Sequence, residues 1–192
     1  PVCIVRSPGR INLLGRHIDH QGGTVNVMAI NREVITVAAP RTDDQVTLDN
    51  ADGTRFAGHT FRISDLVANL NWDDWQRVID GPRLQRLLDE ARGDWANYAK
   101  ASILRLQELF RDRQLRGMDL MVSGNIPMGA GLSSSSALVV AVAETVTAFN
   151  QLPVSGRRLV SLCGEGEWFV GTRGGAADHA AIKLSRRGYV TR

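Results

Sequence analysis

The order of apolar and polar positions switches between the period of a strand and the period of a helix along the chain. Residues 2–6 read as a first strand, and residues 24–30 and 33–39, rich in β-branched side chains, suit a pair of strands. Residues 46–48 and 55–63 add shorter, more exposed strands, with Asp52-Gly53 as the turn between them. Ser64 is placed to cap a short helix over residues 65–70. Residues 71–93 carry Trp72, Trp75 and many charges, and no period selects an element there. Beyond Asp94, an N-cap candidate, Trp95, Tyr98, Ala99, Ser102, Ile103, Leu106, Leu109 and Phe110 recur at helical spacing, so those aromatics are expected mostly in the core. Gly117 is expected to end this helix, and residues 118–123 form a strand. Helices follow over 133–149, 154–169 and 176–184, and residues 188–191 start a last strand. Strands grouped as if antiparallel, with helices after them, predict an α+β architecture.

Composition narrows the class. The chain has 192 residues, 43% hydrophobic and 22% charged, which is ordinary for a globular domain with a buried core. Its net charge of +3 comes from scattered basic residues, so no nucleic-acid partner is expected. Arg111, Arg113 and Arg116 suit the solvated C-terminal end of a helix, where cations complement the dipole. Cys3 and Cys163 are the only two cysteines and lie far apart, which excludes a disulfide framework or a CxxC metal site and points to a reducing cytoplasm. No signal peptide and no twenty-residue apolar span is visible, so no membrane association is expected.

The chemistry concentrates in Pro127-Met128-Gly129-Ala130-Gly131-Leu132-Ser133-Ser134-Ser135-Ser136-Ala137, between a strand and a long apolar helix. Glycines let the backbone bend tightly and approach a ligand. The four serines fall at a helix start, where free N–H groups and the positive end of the dipole suit phosphate. The plain alternative is a glycine turn followed by a capped helix. A Walker loop is ruled out, because no lysine occurs between Lys100 and Lys183, and G-x-G-x-x-G fails because Ser134 stands at the third glycine.

This loop resembles the phosphate-binding motif of the GHMP small-molecule kinases, which include galactokinase, homoserine kinase, mevalonate kinase and phosphomevalonate kinase. A second segment, Ser7-Pro8-Gly9-Arg10-Ile11-Asn12-Leu13-Leu14-Gly15-Arg16-His17-Ile18-Asp19-His20-Gln21-Gly22-Gly23, is similar to the galactokinase sugar signature P-G-R-x-N-L-I-G-E-H-x-D-Y-x-x-G. A third, Gly171-Thr172-Arg173-Gly174-Gly175-Ala176-Ala177-Asp178-His179, resembles the stretch that carries the family's catalytic aspartate. All three occur in the family's order.

The resemblance implies a ribosomal protein S5 domain 2-like fold, with a mixed sheet and layered helices. It also implies an ATP-dependent sugar kinase that phosphorylates an anomeric hydroxyl and uses Mg²⁺. Under it, Asp178 accepts or orients the sugar hydroxyl proton, and Arg10 keeps that aspartate ionised and stabilises charge on the transferred phosphoryl group. Pro127, Gly129, Ala130, Gly131, Leu132 and Ser133 to Ser136 wrap the ATP phosphates, with Ser135 as a Mg²⁺ ligand. The family's metal-binding glutamate falls at Gly166, so either its neighbours Glu165 and Glu167 are the candidates or the serine, phosphates and water hold the metal. His17, Asp19 and Gly175 map to substrate binding. Two further positions depart from the pattern: His179 replaces a glutamine, and Arg16 replaces a glutamate. An arginine there suits a carboxylate, and residues 18–25 look more like plant galacturonokinase, so a uronic acid such as galacturonate is the expected substrate. Galactose, another hexose or a pentose stay open, as does a non-catalytic sugar or nucleotide sensor. The resemblance further implies that residues 1–192 form the N-terminal domain and pack against a C-terminal GHMP domain that lies outside this chain.

Overall fold

The computed structural model describes residues 2–15, 18–68, 74–82, 84, 86 and 93–192. Arg16, His17 and Trp72, and the end of the helix expected over 65–70, lie outside the described residues. The strands are β1 (Cys3–Leu14), β2 (Asn26–Pro40), β3 (Gln45–Asn50), β4 (His59–Arg62) and β5 (Met118–Gly124). Among the described residues they form one mixed sheet in the order β1-β2-β5-β3-β4, in which only the β3–β5 pair is parallel. Among the described residues, the α-helices with defined bounds are α1 (Ile63–Val67), α2 (Trp75–Asp80), α3 (Ala96–Leu109), α4 (Ser134–Phe149), α5 (Gly156–Glu167) and α6 (Ala177–Leu184). The α+β expectation holds.

The core lies between the sheet's inner face and α4. Met118, Leu120 and Val122 of β5 are buried, and the register sets Leu120 beside Ala38 of β2 and Leu48 of β3. Every residue of α4 from Ser136 to Ala143 is buried, because α3 and α5 cover the side that the sheet does not. A helix apolar all round belongs in such an interior position. The serine-rich N-terminus of α4 thus follows β5, the middle strand of the sheet.

Several elements differ from the sequence expectation. The strand expected over 2–6 runs on to Leu14, through the Pro8-Gly9-Arg10 motif. Among the described residues it is an edge strand that pairs only with β2, and an edge tolerates a proline without a ladder donor. Its register shifts between Pro8 and Arg10. The two strands expected over 24–30 and 33–39 are one strand, β2, since Asn31-Arg32 supplies no glycine or proline to turn the chain. Ser64 lies inside α1 and does not cap it. Asp44 does so from the preceding connection: its Oδ2 accepts the Ser64 N–H at 2.9 Å and its carbonyl accepts the Ile63 N–H at 3.1 Å. Gly117 does not end α3, which stops at Leu109. Gln107 instead gathers the following loop, accepting the Leu115 N–H at 2.9 Å and donating to the Arg113 carbonyl at 2.8 Å. Of residues 188–191, only Thr191 pairs, in an isolated bridge to Val27.

Candidate active site

The loop between β5 and α4 is anchored at both ends. At its start, Asn125 and Glu33 exchange hydrogen bonds: the Glu33 N–H donates to Asn125 Oδ1 at 2.8 Å, and the Asn125 N–H to the Glu33 carbonyl at 3.0 Å. At its end, the Arg10 N–H donates to the Leu132 carbonyl at 3.1 Å, which stitches the loop to β1. Gly9 makes this approach possible. A Cβ at Gly9 would lie 2.8 Å from the Leu132 oxygen, so only glycine fits. Gly9→Ala is therefore expected to push the loop outward and weaken binding of a phosphate-bearing ligand several-fold while the fold survives. Titration with a nucleoside triphosphate beside a thermal unfolding curve checks this, and an unchanged affinity would show that the loop yields freely.

Gly129, Gly131 and Ser133 all adopt left-handed backbone, at φ of 69°, 68° and 58°. Nothing lies within 4 Å of a Cβ added at either glycine, so the outer side of the loop is open. The first intrahelical bond of α4 runs from the Ala137 N–H to the Ser133 carbonyl. The amides of Ser134, Ser135 and Ser136 therefore have no partner within the helix and make an anion site at its positive end.

The four serine hydroxyls face different partners. Ser134 and Ser135 line an 840 Å³ cavity. Ser133 Oγ instead donates to Asp178 Oδ2 at 2.5 Å, and Ser136 Oγ donates to Glu167 Oε1 at 2.8 Å. Hydroxyl contacts to phosphate thus fall to Ser134 and Ser135, while Ser133 and Ser136 serve carboxylates.

Opposite Ser134 and Ser135, the cavity is walled by Asn50, Arg55, Phe56, Trp95 and Tyr98. The Phe56 and Trp95 rings meet edge-on, with centroids 6.2 Å apart, and the Trp95 Nε1–H donates to the Ala57 carbonyl at 2.9 Å. Trp95 and Tyr98 were expected mostly in the core. They are half-buried and pack against the core at the start of α3, and each also lines the cavity. Their helical spacing was a correct signal for the helix but said nothing about its end. A large cavity with aromatic walls beside an anion site suits a nucleoside joined to phosphates.

On the other side of the loop, Arg10 and Asp178 form a two-pronged pair. Arg10 Nε donates to Oδ1 at 2.7 Å and Nη2 to Oδ2 at 2.6 Å, while Nη1 donates to the Gly131 carbonyl at 2.6 Å. Burial pushes the Asp178 carboxyl upward, but hydrogen bonds from Arg10 and Ser133 outweigh it and hold the group below its ordinary value. Asp178 sits in the first turn of α6, where the dipole also favours a carboxylate. Asp19 Oδ2 accepts the Ala177 N–H at 3.2 Å, so the sugar-like motif braces the start of the same helix. Gly175 lies in the loop just before it.

Glu165 and Glu167 point to different places. Glu165 accepts two hydrogen bonds from Arg105, at 2.8 and 2.5 Å, and Arg158 stands 3.6 Å away. This pairing takes Glu165 away from the loop. Glu167 is buried against the first turn of α4, and His179 Nε2 lies 3.4 Å from the oxygen that Ser136 occupies. Among the described residues, no group of three or more His, Cys, Asp or Glu could hold a metal alone. The donors present, serine hydroxyls and one carboxylate, fit Mg²⁺ when phosphates and water complete its shell.

Two family models match this chain: the GHMP kinases N terminal domain over residues 97–186 and the galactokinase galactose-binding signature over residues 1–40. The chain belongs to the GHMP kinase family, whose N-terminal domain it carries. Within that family its similarity runs to galactokinases. That of Chloroflexus aurantiacus is 35% identical over 190 residues, and that of Roseiflexus sp. (strain RS-1) is 35% identical over 187. These matches take in 98% and 97% of this chain and 42% and 41% of those proteins, so the chain spans under half the length of the curated relatives it matches. The crystal structure of Lactococcus lactis galactokinase complexed with galactose superposes with a TM-score of 0.77 at 27% identity, covering 96% of this chain and 42% of that one. Methanococcus jannaschii mevalonate kinase, at 17% identity, shares the fold with a TM-score of 0.73 over 96% of this chain and 52% of that one.

Proposed function

We propose that the protein of which this chain is a part is an ATP-dependent sugar kinase acting on the anomeric hydroxyl of a galactose-like sugar. One observation carries the reading: an ionised aspartate, paired with an arginine, stands beside a phosphate-type loop. Phosphoryl transfer needs positioning, charge neutralisation and an oriented acceptor hydroxyl. Asp178 would take the hydroxyl proton, and Arg10 would hold that carboxylate while placing positive charge beside the loop. The amides of Ser134 to Ser136 would bind phosphate, and the aromatic-walled cavity would take the nucleoside. Ser135 and Glu167 are the residues that would hold Mg²⁺, which neutralises phosphate charge when bound; Glu165 is not among them.

The substrate reading rests on Arg16. If it meets a sugar carboxylate, kcat/KM favours galacturonate over galactose, and Arg16→Glu reverses the order. A charge-assisted pair is worth about 1.5–3 kcal/mol, or roughly tenfold to a hundredfold in rate. Measuring both sugars with both proteins decides the point. A wild-type preference for galactose sinks the uronic-acid reading and leaves the kinase reading standing. A C-terminal GHMP domain would close the cleft over the cavity, since relatives are more than twice the length matched here. Cys3 and Cys163 are free thiols, which supports a cytoplasmic setting. No helix among the described residues is long and apolar enough to cross a membrane. The kinase reading is tested by ADP release from the full-length protein with ATP, Mg²⁺ and a panel of hexoses, pentoses and uronic acids. Release with none of them would remove it.

A further inference from the structure

We propose that Ser133 is a positioning residue that fills Oδ2 of Asp178 and leaves Oδ1 as the oxygen that receives the acceptor hydroxyl's proton. This inference rests on the kinase reading and adds to it the identity of the reacting oxygen. An ionised carboxylate offers two acceptor directions on each oxygen. Arg10 takes one on each, through Nε on Oδ1 at 2.7 Å and Nη2 on Oδ2 at 2.6 Å. Ser133 Oγ takes the second on Oδ2, at 2.5 Å. Among the described residues, only Oδ1 keeps an open direction.

The backbone at Ser133 points the same way. Its φ of 58° and ψ of 47° lie in the left-handed region, which disfavours any residue with a Cβ. The loop uses glycine for that conformation at positions 129 and 131, but serine at 133. The hydroxyl is present despite the backbone cost, and its partner is the carboxylate. Residues 131, 132 and 133 together touch the Arg10–Asp178 pair, through the Gly131 carbonyl, the Leu132 carbonyl and Ser133 Oγ. The loop that receives phosphate thus also sets the orientation of the base.

In the transfer step, the acceptor O–H gives its proton to Asp178 Oδ1. The acceptor oxygen forms a bond to the γ-phosphorus. The bond from that phosphorus to the β–γ bridging oxygen breaks, and its electron pair leaves with ADP. Asp178 then returns the proton to solvent.

Ser133→Ala and Ser133→Gly in the full-length protein test this assignment. Both remove the hydroxyl, but glycine also relieves the left-handed backbone, so Ser133→Gly is expected to melt higher than Ser133→Ala. The Asp178 carboxyl is followed by ¹³C NMR in protein labelled at aspartate, with Asp178→Asn identifying its signal. Arg10 from β1 and the neighbouring His179 act on this carboxyl in every variant, and Asp19 stays on the adjacent Ala177 amide. The Asp178 titration is expected to move to higher pH in both Ser133 variants, because a bond to the ionised form is lost. The acid limb of kcat/KM should move the same way. Turnover should fall roughly tenfold to a hundredfold, with the ATP KM changed by less than about twofold. A higher ATP KM with an unmoved Asp178 titration would show that Ser133 serves phosphate and overturn the assignment. So would losses that follow melting temperature and vanish in Ser133→Gly. Wild-type protein that releases no ADP with any sugar removes the kinase reading, and the Oδ1 assignment falls with it. Normal wild-type turnover with an unmoved titration removes the Ser133 assignment alone.

Discussion

Asp178→Asn in the full-length protein is expected to cut kcat by about a hundredfold to ten-thousandfold while ATP binds as before, the usual range for losing a positioned general base. The amide is nearly the same size, so the packing of α6 stays. What changes is charge: the new side chain cannot take a proton from a hydroxyl. Its NH₂ also opposes one prong of Arg10, which donates to both oxygens in the wild type at 2.7 and 2.6 Å. The phosphate loop touches the carboxyl through Ser133, but Asn125 and the Arg10 amide anchor it apart from that bond, so its shape is expected to hold. The effect should therefore fall on kcat and leave nucleotide affinity alone. Steady-state kinetics with nucleotide titration checks both. The wild-type pH profile carries the matching sign. Arg10 and Ser133 hold the Asp178 carboxyl below its ordinary value, so it stays ionised through the range in which a free aspartate would protonate, and the base is lost only as pH falls through its depressed value.

The largest effect on stability is expected from Gly117→Ala, remote from the cavity. A Cβ at Gly117 would lie 1.8 Å from the Gln45 carbonyl oxygen and 2.5 Å from its carbon, both backbone atoms at the start of β3. Gly117 leads into β5, and β3 and β5 form the parallel pair at the centre of the sheet. The two strands cannot both keep their places. A loss of at least about 3 kcal/mol follows, or roughly 6–12 °C in melting temperature. Differential scanning calorimetry measures it directly, and a melting point within a degree or two of wild type would mean that the strands slide apart at little cost.

Much of the site was legible because its elements carry local signals. The strand before the phosphate loop and the helix after it were found nearly to the residue, since alternation marks 118–123 and an unbroken apolar run marks α4. Resemblance to the GHMP kinase motifs brought out Arg10 and Asp178, 168 positions apart in the chain and joined in space. What stayed hidden depends on contacts between distant segments. Asp44 caps α1 from another connection, and no local pattern marks it. Gly117 looked like a helix stop, while its absent side chain makes room for Gln45. Glu165 and Glu167 were equivalent candidates in sequence, but two residues along a helix turn a side chain through about 200°. One therefore meets Arg105 and the other Ser136. The four serines were likewise alike in sequence, and only the left-handed turn at Ser133 sends its hydroxyl to Asp178 instead of to the cavity.

Phosphate transfer to a sugar hydroxyl by this loop and the Arg10–Asp178 pair is read out by ³¹P NMR of the full-length protein with ATP, Mg²⁺ and, in parallel samples, galactose or galacturonate. Equal growth of ADP and a sugar 1-phosphate signal is expected in at least one sample, and neither with Asp178→Asn. ATP that persists in both samples, or that yields only inorganic phosphate, would contradict it.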